Sequence, residues 1–406
     1  MKFFKSIFIL CLISLFAIDL SAQLQWRGIN RDGIYHETGL LKEWPAEGPK
    51  LLWHYKGLNK GHTSVTVTDK MIYTTGQADG KGYLFAFNLD GKLIWKKPYG
   101  KEWDEGYPGS RTSPTFYENK LYFLTAYGDA ICFDAETGDK IWNVDLTEKF
   151  GARNIRWGFV ESPLIYDNKV IFTPGGPDIL FVALNPQVGA TIWESKGNGN
   201  TSAYCSPLLF EHNGKKLVVT ATSDHIVCFD ADNGKVLWNL LQTNRYSIHP
   251  NTPIYKDGYI VSATGYGVGT VMIKLSEDGK SASKVWDNPD LDNQIGGIVW
   301  IDDYIIGSGH ENERAWQCLN AKTGKTLFKS NDVWKGNVIY ADGMLYCYSD
   351  KGEMALMKIS SSGFKLVSKF RITMGSEQHW AHPVIKNGVL YVRHGNTLMA
   401  YDIKQK

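Results

Sequence analysis

Polar and aromatic side chains gather at one recurring place in this chain, the few residues just ahead of a repeated apolar strand. Arg111, Trp157 and Glu161, His249 and Asn251, Trp334 and Lys335, and Gln378, His379 and Trp380 all stand there, with His62, Tyr204 and Gln294 at matching points. Brought to one face, they would form a binding surface: Arg111 and Lys335 suit an anion, and Trp157, Trp334 and Trp380 offer faces for stacking on a ring. Glu161 and Asn251 are the pair suited to calcium, because hard cations take carboxylate and amide oxygens. Gln378, His379, Trp380 and His382 form the densest cluster. A lone histidine there is more often a satisfied polar group than a catalyst, since a general base needs a reacting proton in reach and a suitable pKa. No catalytic triad, phosphate-binding glycine loop, haem-attachment sequence or zinc spacing can be placed. The bland alternative for the same residues is a wet, sealed channel in which they hydrogen-bond to water.

The elements that would position these residues announce themselves by a period. Four copies share one spacing: Phe133, Asp134, Gly138, Trp142; Leu184, Asn185, Gly189, Trp193; Phe229, Asp230, Gly234, Trp238; and Leu319, Asn320, Gly324, Phe328. With looser copies included, the aromatics Trp53, Trp95, Trp142, Trp193, Trp238, Trp286, Phe328 and Phe370 lie 42, 47, 51, 45, 48, 42 and 42 residues apart, and such periods mark repeat arrays. Each copy reads as a β-hairpin in which Asp or Asn caps its own turn, Gly supplies a positive φ, and the aromatic on the outgoing strand covers a seam between sheets. Ahead of each hairpin lies another strand pair, beginning near Ser64, Ser113, Ser162, Ser206, Thr252, Gly297, Asn337 and His382. The expectation is an all-β, eight-bladed β-propeller of four-stranded antiparallel blades. The last unit ends at Asp402 without its outer strand, so residues 51–55 should supply it and close the ring, which removes an exposed edge. A seven-bladed ring with an additional domain is the alternative, because the units at Gly297 and Asn337 are weaker.

Around that array, residues 1–22 read as a secretory signal, with Lys2 and Lys5, an apolar core from Ile7 to Ile18 and a small-residue ending at Ser21 and Ala22. Residues 23–49 are expected as an extension packed on the propeller, across one face or the rim, and residues 50–406 as the propeller. With 44 Lys and Arg against 42 Asp and Glu, the formal charge is +2 and no basic stripe points to nucleic acid. Cys132, Cys205, Cys228, Cys318 and Cys347 follow the signal, an odd number, and three of them repeat one blade position. Small buried hydrophobes fit them better than disulfides.

These repeats resemble those of the PQQ-like (pyrroloquinoline-quinone-type) propellers across the whole of residues 23–406. The opening Trp26-Arg27-Gly28, Asn30, Asp32-Gly33, then Trp44-Pro45 and Gly48-Pro49 before Leu52-Trp53, is similar to exported bacterial members described only as PQQ-like repeat proteins. That family has two functional branches. The quinoprotein dehydrogenases hold PQQ between a Trp and, commonly, a disulfide of adjacent cysteines, with calcium and an Asp base; here no two cysteines are adjacent and no haem domain is present. The other branch is the propeller subunit of the machinery that assembles outer-membrane β-barrels, whose founding members carry a lipid anchor not found here. The expectation is a monomeric, periplasmic or secreted propeller that binds or scaffolds a protein or glycan through its funnel without a cofactor, with Arg111, Trp157, Trp334, Lys335, His379 and Trp380 as binding residues. A quinoprotein-type dehydrogenase oxidising an alcohol or sugar, with PQQ and calcium on Glu161 and Asn251, is the second reading.

Overall fold

The computed structural model describes residues 24–197 and 199–405; the signal sequence expected over residues 1–22 lies outside them. Eight blades of four antiparallel strands succeed one another along the chain, seven of them built from strands in sequence order and the eighth completed by a strand from the start of the chain. Blade 2 is typical, with strands Thr115–Tyr117, Lys120–Leu124, Asp129–Asp134 and Lys140–Asp145, the first innermost. One short helix, Leu146–Phe150, is the only α-helix among the described residues. The sequences starting at Gly297 and Asn337 build complete blades 6 and 7, so the seven-bladed alternative is set aside. Blade 8 consists of Val384–Lys386, Val389–His394, Thr397–Asp402 and the distant strand Lys50–Tyr55, paired from Lys50 opposite Asp402 to Tyr55 opposite Leu398.

The repeated residues couple neighbouring blades. In blade 3, the Asn185 Oδ1 accepts hydrogen bonds from the backbone N–H groups of Gln187 (2.8 Å) and Val188 (3.2 Å), closing the turn that Gly189 completes with φ 69°. Trp142 of blade 2 lies over that turn and donates its indole N–H to the Pro186 carbonyl at 2.9 Å. A Cβ on Gly189 would stand 3.0 Å from the Trp142 ring, and the same encounter recurs between Gly91 and Trp53, Gly138 and Trp95, Gly234 and Trp193, and Gly324 and Trp286. Glycine is thus required twice, for the left-handed backbone and for the indole of the preceding blade. Between blades the sheets pack face to face. Tyr122, Leu124, Cys132 and Trp142 of blade 2 meet Ile165, Val170, Phe172 and Leu184 of blade 3, and Cys228 and Cys318 occupy equivalent cores. All five cysteines among the described residues are free and buried.

A second ring of contacts runs around the axis, where each inner strand begins. Ser64 N–H donates to Ser113 Oγ and Ser162 N–H to Ser206 Oγ, both at 3.0 Å, while Thr252 Oγ1 donates to the Ser206 carbonyl at 2.8 Å. Asn251 and Asn337 continue the pattern: Asn251 Oδ1 accepts from Gly297 N–H (3.0 Å), and Asn337 Nδ2 donates to the Ala381 carbonyl (3.1 Å). The small polar residues that mark most units in the sequence are therefore latches between neighbouring blades. Such bonds are worth about 1 kcal/mol each when buried.

The extension enters the central channel. Leu24 bridges to Phe116 on the inner strand of blade 2, running antiparallel to it, and Ile34–Tyr35 returns parallel to the inner strand Gly336–Ala341 of blade 7. Residues 24–35 thus form a finger whose tip lies where the inner strands begin. Two arginines hold it there. Arg27 donates to the carbonyls of Ile298 (2.6 Å) and Val338 (3.3 Å) and to His382 Nδ1 (3.0 Å); Arg31 donates to those of Pro163 (2.6 Å), Ser162 (2.8 Å) and Pro207 (3.0 Å). Both are buried with left-handed backbone, φ 63° and 55°. Gly33 makes room: a Cβ there would lie 2.3 Å from Arg27 Nη2. Beyond the finger the chain crosses the opposite face, where the Glu37 carboxylate accepts from Asn387 and Gly388 N–H. Trp44 is then buried against Tyr346 and Phe370 of blade 7 before the chain becomes the outer strand of blade 8.

Candidate functional site

Loops leading into the inner strands, with the loop between the second and third strands of blade 5, surround a cavity of about 460 Å³. Its wall is aromatic: Tyr107, Trp157, Tyr204, Tyr246, Tyr266 and Trp380, floored by Trp26 from the finger and by His382. Neighbouring rings meet at steep angles rather than in stacks. Tyr107 and Trp380 are 5.2 Å apart at 51°, Trp157 and Tyr204 6.4 Å at 49°, Tyr246 and Tyr266 4.8 Å at 68°, and Trp26 and His382 5.1 Å at 69°. Two arginines, Arg111 and Arg156, and no carboxylate complete the lining.

The two guanidinium groups are held differently. Arg111 is half-buried and donates to the backbone carbonyls of Trp157 and Tyr107, clamping two wall loops together. Arg156 is exposed and makes no hydrogen bond or ion pair among the described residues; its Cζ sits 4.8 Å from the Trp157 ring centre and 5.7 Å from that of Tyr246. A third rim arginine, Arg245, is bound by Glu311 in a two-pronged ion pair. The floor carries no charge of its own, because burial and the adjacent Arg27 hold His382 at about 3. His62, also in the wall, is depressed to about 3 by burial and by Arg111 and Arg393.

Of the residues singled out in the sequence, Arg111, Trp157 and Trp380 line this cavity together, beside His62, Tyr204 and Gln294. Trp334, Lys335 and His379 stand apart from it. Lys335 is paired with Asp350 at 3.0 Å and borders, with His379, a crevice of about 10 Å³. His379 Nδ1 meets the Tyr348 hydroxyl at 2.6 Å, and its ring stacks 3.6 Å from that of His394. Trp334 is surface-exposed beneath Arg314 and Lys351. These three fall outside because Lys335 and His379 are satisfied within blades 7 and 8, away from the wall.

Of the oxygens expected to hold calcium, that of Asn251 is committed elsewhere and those of Glu161 belong to a buried carboxyl of raised pKa. Asn251 Oδ1 serves the latch to blade 6, and its amide donates to the carbonyls of Asn293 (2.8 Å) and Ala263 (3.1 Å). Glu161 is fully buried, accepts one hydrogen bond from Thr173 N–H (3.2 Å), and is raised by burial to about 8, so it is neutral at pH 7. No group of three His, Cys, Asp or Glu able to hold a metal occurs among the described residues. This donor set does not fit calcium, and the free cysteines offer no disulfide against which a quinone could lie.

Sequence reasoning passed over Trp26, Tyr107, Arg156, Tyr246 and Tyr266. Four of these sit in long loops, well before an inner strand or between strands, where the repeat gives no alignment. Trp26 stands outside the repeat altogether, and its one signal was an aromatic beside an arginine in a segment with no strand pattern.

A PQQ-like propeller with an aromatic funnel is the class that fold and site define. The chain belongs to the PQQ-like repeat family described as outer membrane protein assembly factor BamB, whose profile matches residues 34–155 and 80–330. It is 27% identical over 212 residues to the outer membrane protein assembly factor BamB of Kangiella koreensis, covering 50% of this chain and 49% of that one. It is 24% identical over 252 residues to the quinoprotein alcohol dehydrogenase PedH of Pseudomonas putida, covering 59% of this chain and 38% of that protein. The chain thus spans about half or less of the length of these curated relatives. The crystal structure of BamB from Moraxella catarrhalis superposes with a TM-score of 0.63 at 16% identity, over 88% of this chain and 98% of that one, which is a likeness of fold. No helix among the described residues is long and apolar enough to cross a membrane.

Proposed function

We propose that this protein is an exported binding propeller that recognises a protein or glycan in the funnel formed by the loops ahead of its inner strands. The observation that carries the reading is the composition of that wall: seven aromatic rings and two guanidinium groups around about 460 Å³, with no carboxylate, thiol or metal-ligand set. Pockets of this size with apolar walls and a few placed polar groups are the usual form of ligand sites. Likeness to a BamB protein, named as an assembly factor, supports binding over turnover; likeness to a quinoprotein alcohol dehydrogenase supports the second reading.

Capture from cell-envelope extract with immobilised protein, repeated with Trp380→Ala, tests the binding function. A partner retained by the wild type and lost by the variant supports it, and equal capture by both removes the funnel as the site. Titration with PQQ and calcium followed by dye-linked alcohol oxidation tests the enzyme. Turnover would replace the binding reading.

A further inference from the structure

We propose that the funnel's ligand is an acidic oligosaccharide, a short chain of sugar rings bearing carboxylates, with Arg156 as its anion receptor; this rests on the reading of the funnel as a binding site. Three features of the cavity converge on that class. The first is ring geometry. Wall rings lie at 46° to 69° to their neighbours, as in His62 and Trp380 (5.0 Å, 46°) and Trp26 and His382 (69°), so the bowl is faceted rather than slotted. A flat fused-ring ligand wants parallel faces, whereas puckered pyranoses present successive apolar faces at changing angles. Aromatic side chains suit them because one edge is apolar and the other carries a polar group.

The second is charge. Among the described residues Arg156 is the lining cation with every N–H uncommitted, its guanidinium lying near the Trp157 and Tyr246 rings. Arg111 adds positive charge behind it while spending its donors on the loops, and no carboxylate in the lining opposes them. A guanidinium with a free planar fork is matched by a carboxylate, which it binds through two parallel hydrogen bonds. The third is closure. The finger blocks the channel beneath Trp26, so the cavity is blind and takes a chain end or a short segment rather than a threaded polymer. No residue that lines the bowl belongs to a strand, so an acidic peptide bound there would lack the main-chain ladder by which extended peptides are commonly held.

The test is binding of galacturonate and mannuronate trisaccharides, followed by tryptophan fluorescence and calorimetry, against the methyl-esterified galacturonate trisaccharide and maltotriose. At least one acidic trisaccharide should bind about tenfold or more tighter than its uncharged counterparts, the worth of a charge-assisted pair. That preference should shrink in 0.5 M salt and vanish in Arg156→Gln, while Trp380→Ala should weaken acidic and neutral sugars alike. Thermal unfolding confirms that both variants fold. Equal affinity for acid and ester overturns the charge assignment and leaves a glycan-binding funnel standing. Binding of neither acidic sugar, with Trp380-dependent capture of a protein, overturns the inference but keeps the binding function. Saturable binding of PQQ in place of sugars overturns both.

Discussion

Replacing Glu161 by glutamine should make the protein more stable at neutral pH and nearly unchanged in acid. The carboxyl is buried without exposure, one oxygen has no partner among the described residues, and Arg31 nearby only partly offsets the loss of water, so its pKa rises from the ordinary 4.5 to about 8. The sign follows from which state holds the proton. A carboxyl whose folded pKa is raised favours the fold while it is protonated in both states, below pH 4.5. Above that the unfolded chain ionises and the folded one does not, so stability falls as pH rises until the folded carboxyl itself ionises near pH 8. At 1.36 kcal/mol per unit, the span from 4.5 to 7 amounts to about 3 kcal/mol at pH 7. Glutamine carries no such proton and can still accept from Thr173 N–H. Urea unfolding of both proteins, followed by tryptophan fluorescence at pH 4.5, 5.5, 6.5 and 7.5, should give stabilities that coincide at the lowest pH. They should diverge to about 3 kcal/mol in favour of the variant by pH 7. Parallel profiles across that range would refute the reasoning, since they would mean that the carboxyl is ionised in the fold.

Calcium should leave the midpoint of thermal unfolding of the wild type unchanged, because Glu161 is neutral and Asn251 Oδ1 is already bonded; a rise at millimolar calcium would contradict that assignment. Arg31→Met should cost about 3–5 kcal/mol by leaving the buried carbonyls of Ser162 and Pro207 without donors, while that of Pro163 keeps the Thr115 hydroxyl, measured by urea unfolding at pH 7. Gly234→Ala should destabilise more than Gly214→Ala: both have left-handed backbone, φ 73° and 79°, but the added methyl meets the Trp193 ring at 2.5 Å in the first and nothing within 4 Å in the second. Backbone strain alone costs about 1–2 kcal/mol, so equal losses would deny the indole its role. Reducing agent should not shift the unfolding midpoint, as the five cysteines are free and buried; a shift would point to a disulfide.

The architecture was readable because it is periodic. Asn185, Gly189 and Trp142 recur at fixed offsets since each must meet the next blade in one geometry, and Trp53 betrayed the closing strand by fitting that period without its preceding half. The site was readable only where it touches the period. Arg111, Trp157 and Trp380 lie within five residues of the start of an inner-strand unit, so their position followed from the count. Asn251 shares that position and serves as a latch itself, a distinction that depends on whether its side chain turns along the ring or toward the axis. The finger could not be read at all. Its insertion is set by carbonyls of inner strands more than a hundred residues away, reached by Arg27 and Arg31, and local pattern carries no trace of that.

Closing the ring with the first strand has a consequence for the order in which the molecule can assemble. Lys50 cannot pair until Asp402 has been made, and Arg27 cannot be satisfied until blades 6 to 8 surround it. Much of the earliest part of the described chain is therefore late to find its partners, and seven blades must stack while Trp26 and Trp44 wait without cover and Trp53 rests on the turn at Leu89 and Gly91 of blade 1 alone. Contacts of such long sequence separation are slow to form, and the waiting surface is the kind that aggregates. Refolding should show a late phase reported by those three indoles. A circular permutant that moves residues 24–55 to follow Lys404 should speed that phase, because the closing strand would then be a neighbour in sequence as well as in space.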